Sequence, residues 1–114
     1  MALHHASSGE SIDVAPLGPS HRETISTTLI RVDNLEVFRL VLPAGTRIPD
    51  HKQPRTCQLR GESTVHCLEG TLDIEVNGRR HRMQAGKLTY LAAGETHAMT
   101  AVTDATVLVT LLSP

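Results

Sequence analysis

Residues 72–83 read LDIEVNGRRHRM, and the period of this stretch decides the fold class. Leu72, Ile74 and Val76 alternate with Asp73 and Glu75, the two-residue repeat of a strand with one face buried. Asn77-Gly78 follows at once, a pair that tolerates the positive φ angles of a tight type I′ turn. The basic run behind it returns the chain as the second strand of a hairpin, with His81 expected on the solvated side.

Working outward, the same character persists. TTLIRV (27–32) and LEVFRLVL (35–42) are dense in β-branched and aliphatic residues, with turn-forming Asp33-Asn34 between them. In the second run, Glu36, Phe38, Leu40 and Leu42 share one face, and Leu35, Val37, Arg39 and Val41 the other. Both are largely apolar, as for a strand covered on two sides. STVHCLEG (63–70), AGKLTYLAAGETHAMTAV (85–102) and ATVLVTLL (105–112) add further strand-like segments around Gly-rich turns. Leu88, Tyr90 and Met99 are read as pocket wall or core. No window of helical length shows a 3.6-residue period with caps. Many short strands joined by such turns predict an all-β fold, closed or sandwiched so that few strand edges stay exposed.

The chain has 114 residues, 39% apolar and 20% charged, which suits one globular domain with a modest core. A net charge of −1, one Phe, one Tyr and no Trp argue against a nucleic-acid or membrane partner. No apolar run reaches membrane-spanning length, and MALHHASSGESIDV lacks a signal-peptide core, so a reducing cytoplasm is expected. Cys57 and Cys67 are then expected as thiols. Residues 1–24 are predicted as a partly extended arm and 25–114 as the barrel. The apolar patch IDVAPL (12–17) is predicted to add a short strand at a sheet edge, in its own subunit or a neighbour.

The chemistry concentrates in residues 45–70, GTRIPDHKQPRTCQLRGESTVHCLEG, which hold two histidines, two cysteines and basic residues between glycines. The order of glycines and histidines from about Leu35 to Leu112 resembles the cupin family. That family's first motif is written G(X)5HXH(X)3-4E(X)6G and its second G(X)5PXG(X)2H(X)3N. Gly45 followed by TRIPD places His51 on the first histidine, Gly70 ends the first motif, and Gly86 leads to His97 in the second. Ala92 stands for the proline and Ala101 for the asparagine. The resemblance implies a cupin-type β-barrel (double-stranded β-helix, or jelly roll), commonly a homodimer, with a pocket inside one end. In many members three histidines and a glutamate hold Fe, Mn, Ni or Zn, and members include dioxygenases, isomerases and polyketide cyclases.

This chain departs from the pattern at the ligands. Gln53 replaces the second histidine, and the motif's glutamate falls on Ser63, with Glu62 one place away. Two registers follow from strand alternation. If Glu62, Thr64 and His66 turn inward, His66 joins His51 and His97 in a three-histidine divalent-metal site, with Glu62 as candidate acid–base group. If Ser63, Val65 and Cys67 turn inward, the site reduces to His51, Gln53 and His97. The first register is taken as the working expectation. The expected function is a small molecule bound in the barrel, with a reduced or atypical metal site; the alternative is a metal-dependent enzyme. His21 and Cys57 are assigned no role.

Overall fold

The computed structural model describes residues 5–48 and 61–112, together with the backbone at 57–58. Ten strands appear among them: β1 Thr27–Arg31, β2 Leu35–Leu42, β3 Arg47–Ile48, β4 Cys57–Gln58, β5 Ser63–Glu69, β6 Thr71–Val76, β7 Arg79–Gln84, β8 Leu88–Leu91, β9 Thr96–Ala101 and β10 Ala105–Leu112. They form a five-stranded sheet in the order β1-β2-β10-β5-β8 and a second sheet in the order β3-β9-β6-β7, with β4 also pairing β9. Neighbouring strands pair antiparallel throughout. This is the jelly-roll arrangement that the strand pattern and the glycine spacing predict. Among the described residues no helix is long and apolar enough to cross a membrane.

The core lies between the two sheets. Val65, Cys67, Val107 and Val109 from the first meet Leu72, Ile74, Met83 and Met99 from the second, all buried. Sequestering a side chain the size of Leu72 or Ile74 is worth about 1.5–3 kcal/mol, so the alternation in residues 72–76 directly supplies part of the stability. The hairpin forms as expected: β6 and β7 pair from Val76↔Arg79 onward, with Asn77 at φ 50° and Gly78 at φ 81° between them.

Gly70 joins β5 to β6 in a conformation (φ 79°) that favours glycine. A Cβ there would stand 2.1 Å from the carbonyl oxygen of Asp104. The approach is close because Val102 and Thr103 donate their backbone N–H groups to Thr71 O, locking the β9–β10 turn against this corner.

At the N-terminus the structure differs from the sequence reading within the chain's own subunit. Residues 12–17 form no strand; instead a 3-10 helix spans Gly18–Glu23. Its entry is latched to β5, since the backbone N–H groups of Leu17 and Gly18 donate to the Glu69 carboxylate at 2.8 and 3.1 Å. Thr106 Oγ1 donates to the same carboxylate at 2.7 Å. Burial disfavours the charged form of Glu69, yet these hydrogen bonds and the nearby His21 outweigh it and hold the carboxyl below its ordinary value. His21 is buried, its Nε2 bonded to the carbonyl of Ala105 at 2.9 Å. The arm therefore closes over one end of its own five-stranded sheet.

Candidate functional site

Strand β9 carries the family-spaced histidine into the interior. His97, Met99 and Ala101 point to the core side, and His97 is 6% exposed. Burial pushes its pKa below the ordinary value, and a hydrogen bond with the backbone carbonyl of Glu95 only partly opposes this. The ring is accordingly neutral at neutral pH. A carbonyl can only accept, so the nitrogen facing Glu95 carries the proton and the other keeps a lone pair. That is the state required of a metal ligand, a hydrogen-bond acceptor or a general base.

The turn that holds this imidazole is itself clamped. Glu95 Oε1 accepts from the backbone N–H of Ala92 at 2.8 Å, and Oε2 accepts from Asn77 Nδ2 at 2.6 Å. Asn77 Oδ1 in turn accepts from the backbone N–H of Thr96 at 3.2 Å. The Asn77-Gly78 turn therefore does more than reverse the chain; it fixes Glu95 and Thr96, the two residues that lead into His97.

On the facing sheet, β5 settles the register. Val65 and Cys67 are fully buried in the core, and Ser63 on the same face is 3% exposed. Among the described residues the Ser63 hydroxyl has no hydrogen-bond partner. A buried hydroxyl without a partner is costly, so Ser63 marks a polar point on an otherwise apolar inner face, at the position where the first motif counts its carboxylate. Nearby on the same sheet a hollow of about 330 Å³ opens beside β1 and β2, lined by Ser26, Thr27, Thr28, Glu36, Phe38 and Leu40. Its size falls at the small end of ligand pockets.

The register that brings Ser63 inward turns Glu62 and His66 outward. His66 pairs with Leu88 and Leu108 on the outer face, and Glu62 is exposed, accepting a hydrogen bond from the Tyr90 hydroxyl. That bond raises the Tyr90 pKa. His66 and His97 thus occupy opposite sides of the barrel wall and do not meet, so the three-histidine arrangement is not assembled and Glu62 is not an interior acid–base group. The physical reason is side-chain parity: Val65 and Cys67 are the better core fillers, and a strand cannot bury both faces here. His51 and Gln53 lie outside the described residues. The backbone places Cys57, read from sequence as loop, directly opposite His97 on the β4–β9 ladder. Met99 is core as expected, whereas Leu88 and Tyr90 are 65% and 58% exposed on the outer face.

No group of three or more His, Cys, Asp or Glu among the described residues is placed to hold a metal ion. Among the described residues the interior offers one imidazole, His97, where a stable site needs three or four donors. The described residues therefore do not fit a histidine-rich metal centre. The clamp of Asn77 on Glu95, the orphan hydroxyl of Ser63 and the Phe38–Leu40 hollow were not singled out from sequence. Only the motif count onto Ser63 signalled one of them.

Residues 38–113 match the cupin domain family. No curated protein matches the sequence. Among solved structures, a conserved protein of unknown function from Streptococcus pyogenes is 22% identical, with 100% of this chain and 98% of that one covered and a TM-score of 0.76. An RmlC-like cupin from Shewanella frigidimarina is 16% identical over 98% and 93% of the two chains, with a TM-score of 0.70. Salicylate 1,2-dioxygenase from Pseudoaminobacter salicylatoxidans is 15% identical over 75% of this chain and 24% of its own, with a TM-score of 0.65.

Proposed function

The chain belongs to the cupin family, and from that premise we propose that it binds a small molecule inside the barrel, acting in the cytoplasm as a homodimer. The observation that carries this reading is the buried imidazole of His97 on the core side of β9. The unpartnered Ser63 hydroxyl adds a second polar contact on the facing sheet. Phe38 and Leu40, which pack against the core, line a separate hollow beside β1 and β2. A ligand with an apolar body and one or two hydrogen-bonding groups suits an apolar interior with these two polar contacts.

For a divalent ion the donors that remain are His97 with His51 and Gln53. Two imidazoles and an amide oxygen make a weaker set than three imidazoles, and no chemical step is assigned to it. The enzyme reading loses its proton carrier, since Glu62 stands outside the barrel bonded to Tyr90.

The test is to follow the His97 ring resonances by NMR during titration with a panel of small organic acids, sugars and aromatic alcohols. At least one class should shift His97, and His97→Ala should abolish that binding while the protein stays folded. Shifts confined to surface residues for every compound would refute the reading. Elemental analysis of untagged protein, repeated with His51→Ala and His97→Ala, reports the metal separately. Metal retained by both variants would show that these residues are not its ligands.

A further inference from the structure

The outer face of the second sheet carries its charges strand by strand. β7 presents Arg80 and Arg82, β6 presents Asp73 and Glu75, and β3 presents Arg47. Between β6 and β3 runs β9, which offers only Ala98 and Thr100 to this face. One row across the strands reads Arg47, Thr100, Asp73 and Arg82; the next reads Ala98, Glu75 and Arg80. Met99 and Ile74, one place along their strands, are core residues, so strand alternation turns both rows outward.

The short side chains of β9 leave a trough between longer ones. Ala98 is on the outer face and is still only 3% exposed. With Thr100 it floors a hollow of about 170 Å³, walled by Arg47 on one side and by Asp73, Glu75 and Arg80 on the other. That volume is below the range of drug-sized pockets, so the hollow takes one molecule of a few heavy atoms.

The signs of charge alternate across the sheet until β9 interrupts them. Arg82 grips Asp73 in a fork, Nε to Oδ1 at 3.0 Å and Nη2 to Oδ2 at 3.3 Å, which holds that carboxyl below its ordinary value. Arg80 Nη2 meets Glu75 Oε1 at 3.5 Å, a single and longer contact. From β7 to β3 the order is therefore cation, anion, gap, cation. The walls hold two arginines against two carboxylates and carry no net charge. A lone anion or a lone cation in the gap would face one matching wall and one repelling wall. A zwitterion laid across β9 meets both walls and restores the alternation. The span agrees with this. Two strand spacings are about 9.6 Å, and a charge-assisted hydrogen bond of about 2.8 Å at each end leaves about 4 Å, close to the reach from ammonium to carboxylate in an α-amino acid.

We propose that this hollow binds a small α-amino acid, its ammonium held by Glu75 and Asp73, its carboxylate by Arg47, and the Thr100 hydroxyl beneath it. Both carboxylates only accept hydrogen bonds, so the ligand's nitrogen must carry protons, and a quaternary ammonium does not serve. The site is on the opposite face of β9 from His97 and does not depend on a ligand in the barrel.

Amide NMR of the full chain at low ionic strength, where surface charges are least screened, tests the proposal with alanine as the probe. Alanine should shift the Ala98 and Thr100 amides and saturate. Propionate and ethylamine, which each keep one of its charges, and glycine betaine, which lacks the N–H donors, should each bind about tenfold more weakly or worse. Glu75→Gln and Arg47→Gln should each weaken alanine binding by about tenfold. Thr100→Leu, which fills the floor without changing a charge, should abolish it. Arg79→Gln, outside the hollow, should leave it unchanged, and every variant should still unfold cooperatively. Equal affinity for alanine and either single-charge analogue would overturn the proposal. So would alanine binding that survives all three substitutions in folded protein, shifts at the His97 ring without shifts at Ala98 and Thr100, or the absence of any saturable shift up to the solubility of alanine.

Discussion

The side-chain amide of Asn77 donates to the carboxylate of Glu95 at 2.6 Å, and the carbonyl of that same Glu95 bonds the ring of His97. A β-hairpin turn and a buried imidazole are thereby coupled through one residue. Replacing Asn77 by Asp sets one carboxylate against another. Asn77→Asp should keep the fold, lower stability by about 1–2 kcal/mol in urea unfolding and move the His97 ring resonances. An unchanged His97 spectrum in a destabilised variant would separate the turn from the site.

Ser63 gives a prediction of opposite sign. Its buried hydroxyl has no partner among the described residues, so Ser63→Ala should be neutral or stabilising by about 1 kcal/mol. If the hydroxyl serves an interior ligand, the same variant should weaken binding of any compound that shifts His97. Destabilisation by chemical unfolding would instead reveal a partner for the hydroxyl within the protein.

Acid should weaken the fold in two stages. His97 has its pKa lowered from 6.5 by burial, so below that value the unfolded chain takes up a proton that the folded one refuses. Stability is level above this range, falls as pH drops through 6.5, and levels again below the folded value. Glu69 has its pKa lowered from 4.5, so its contribution is full above 4.5 and disappears as pH falls from there through the folded value. Unfolding curves across pH should lose the upper stage in His97→Gln and the lower stage in Glu69→Gln. A profile unaltered by both variants would count against both assignments.

The corner between β5 and β6 has almost no tolerance. Gly70→Ala adds a methyl 2.1 Å from the Asp104 carbonyl at a φ of 79°, and should cost about 3 kcal/mol or more. Gly86→Ala, where nothing lies within 4 Å of the added atom, meets only the backbone strain of φ 90°. It should cost less when the two are compared by thermal unfolding.

What the sequence made legible follows from periodicity and spacing. The alternation of Leu72, Ile74 and Val76 and the Asn77-Gly78 turn are local signals, and the fold built from them stands. The burial of His97 followed from a glycine-to-histidine count, which survives because turn and strand lengths are rigid. The direction of β5 was harder. Glu62-Thr64-His66 and Ser63-Val65-Cys67 are both plausible inner faces by composition, and only packing against Val107 and Val109 chooses between them. Leu88 and Tyr90 misled for a related reason: an apolar strand residue can face a core or an interface, and hydropathy alone is blind to the difference. His21 was invisible because its partner, the Ala105 carbonyl, lies far along the chain and leaves no trace in the residue's own neighbourhood.

Cys67 has one more use. Its thiol is fully enclosed, bonded to the carbonyls of Glu69 and Gly70, and burial raises its pKa, so it is doubly shielded from electrophiles. In a Cys57→Ser background, the rate at which an alkylating reagent modifies it counts how often the two sheets part. Slowing of that clock by an added compound would report occupancy of the barrel before the compound's target atoms were known.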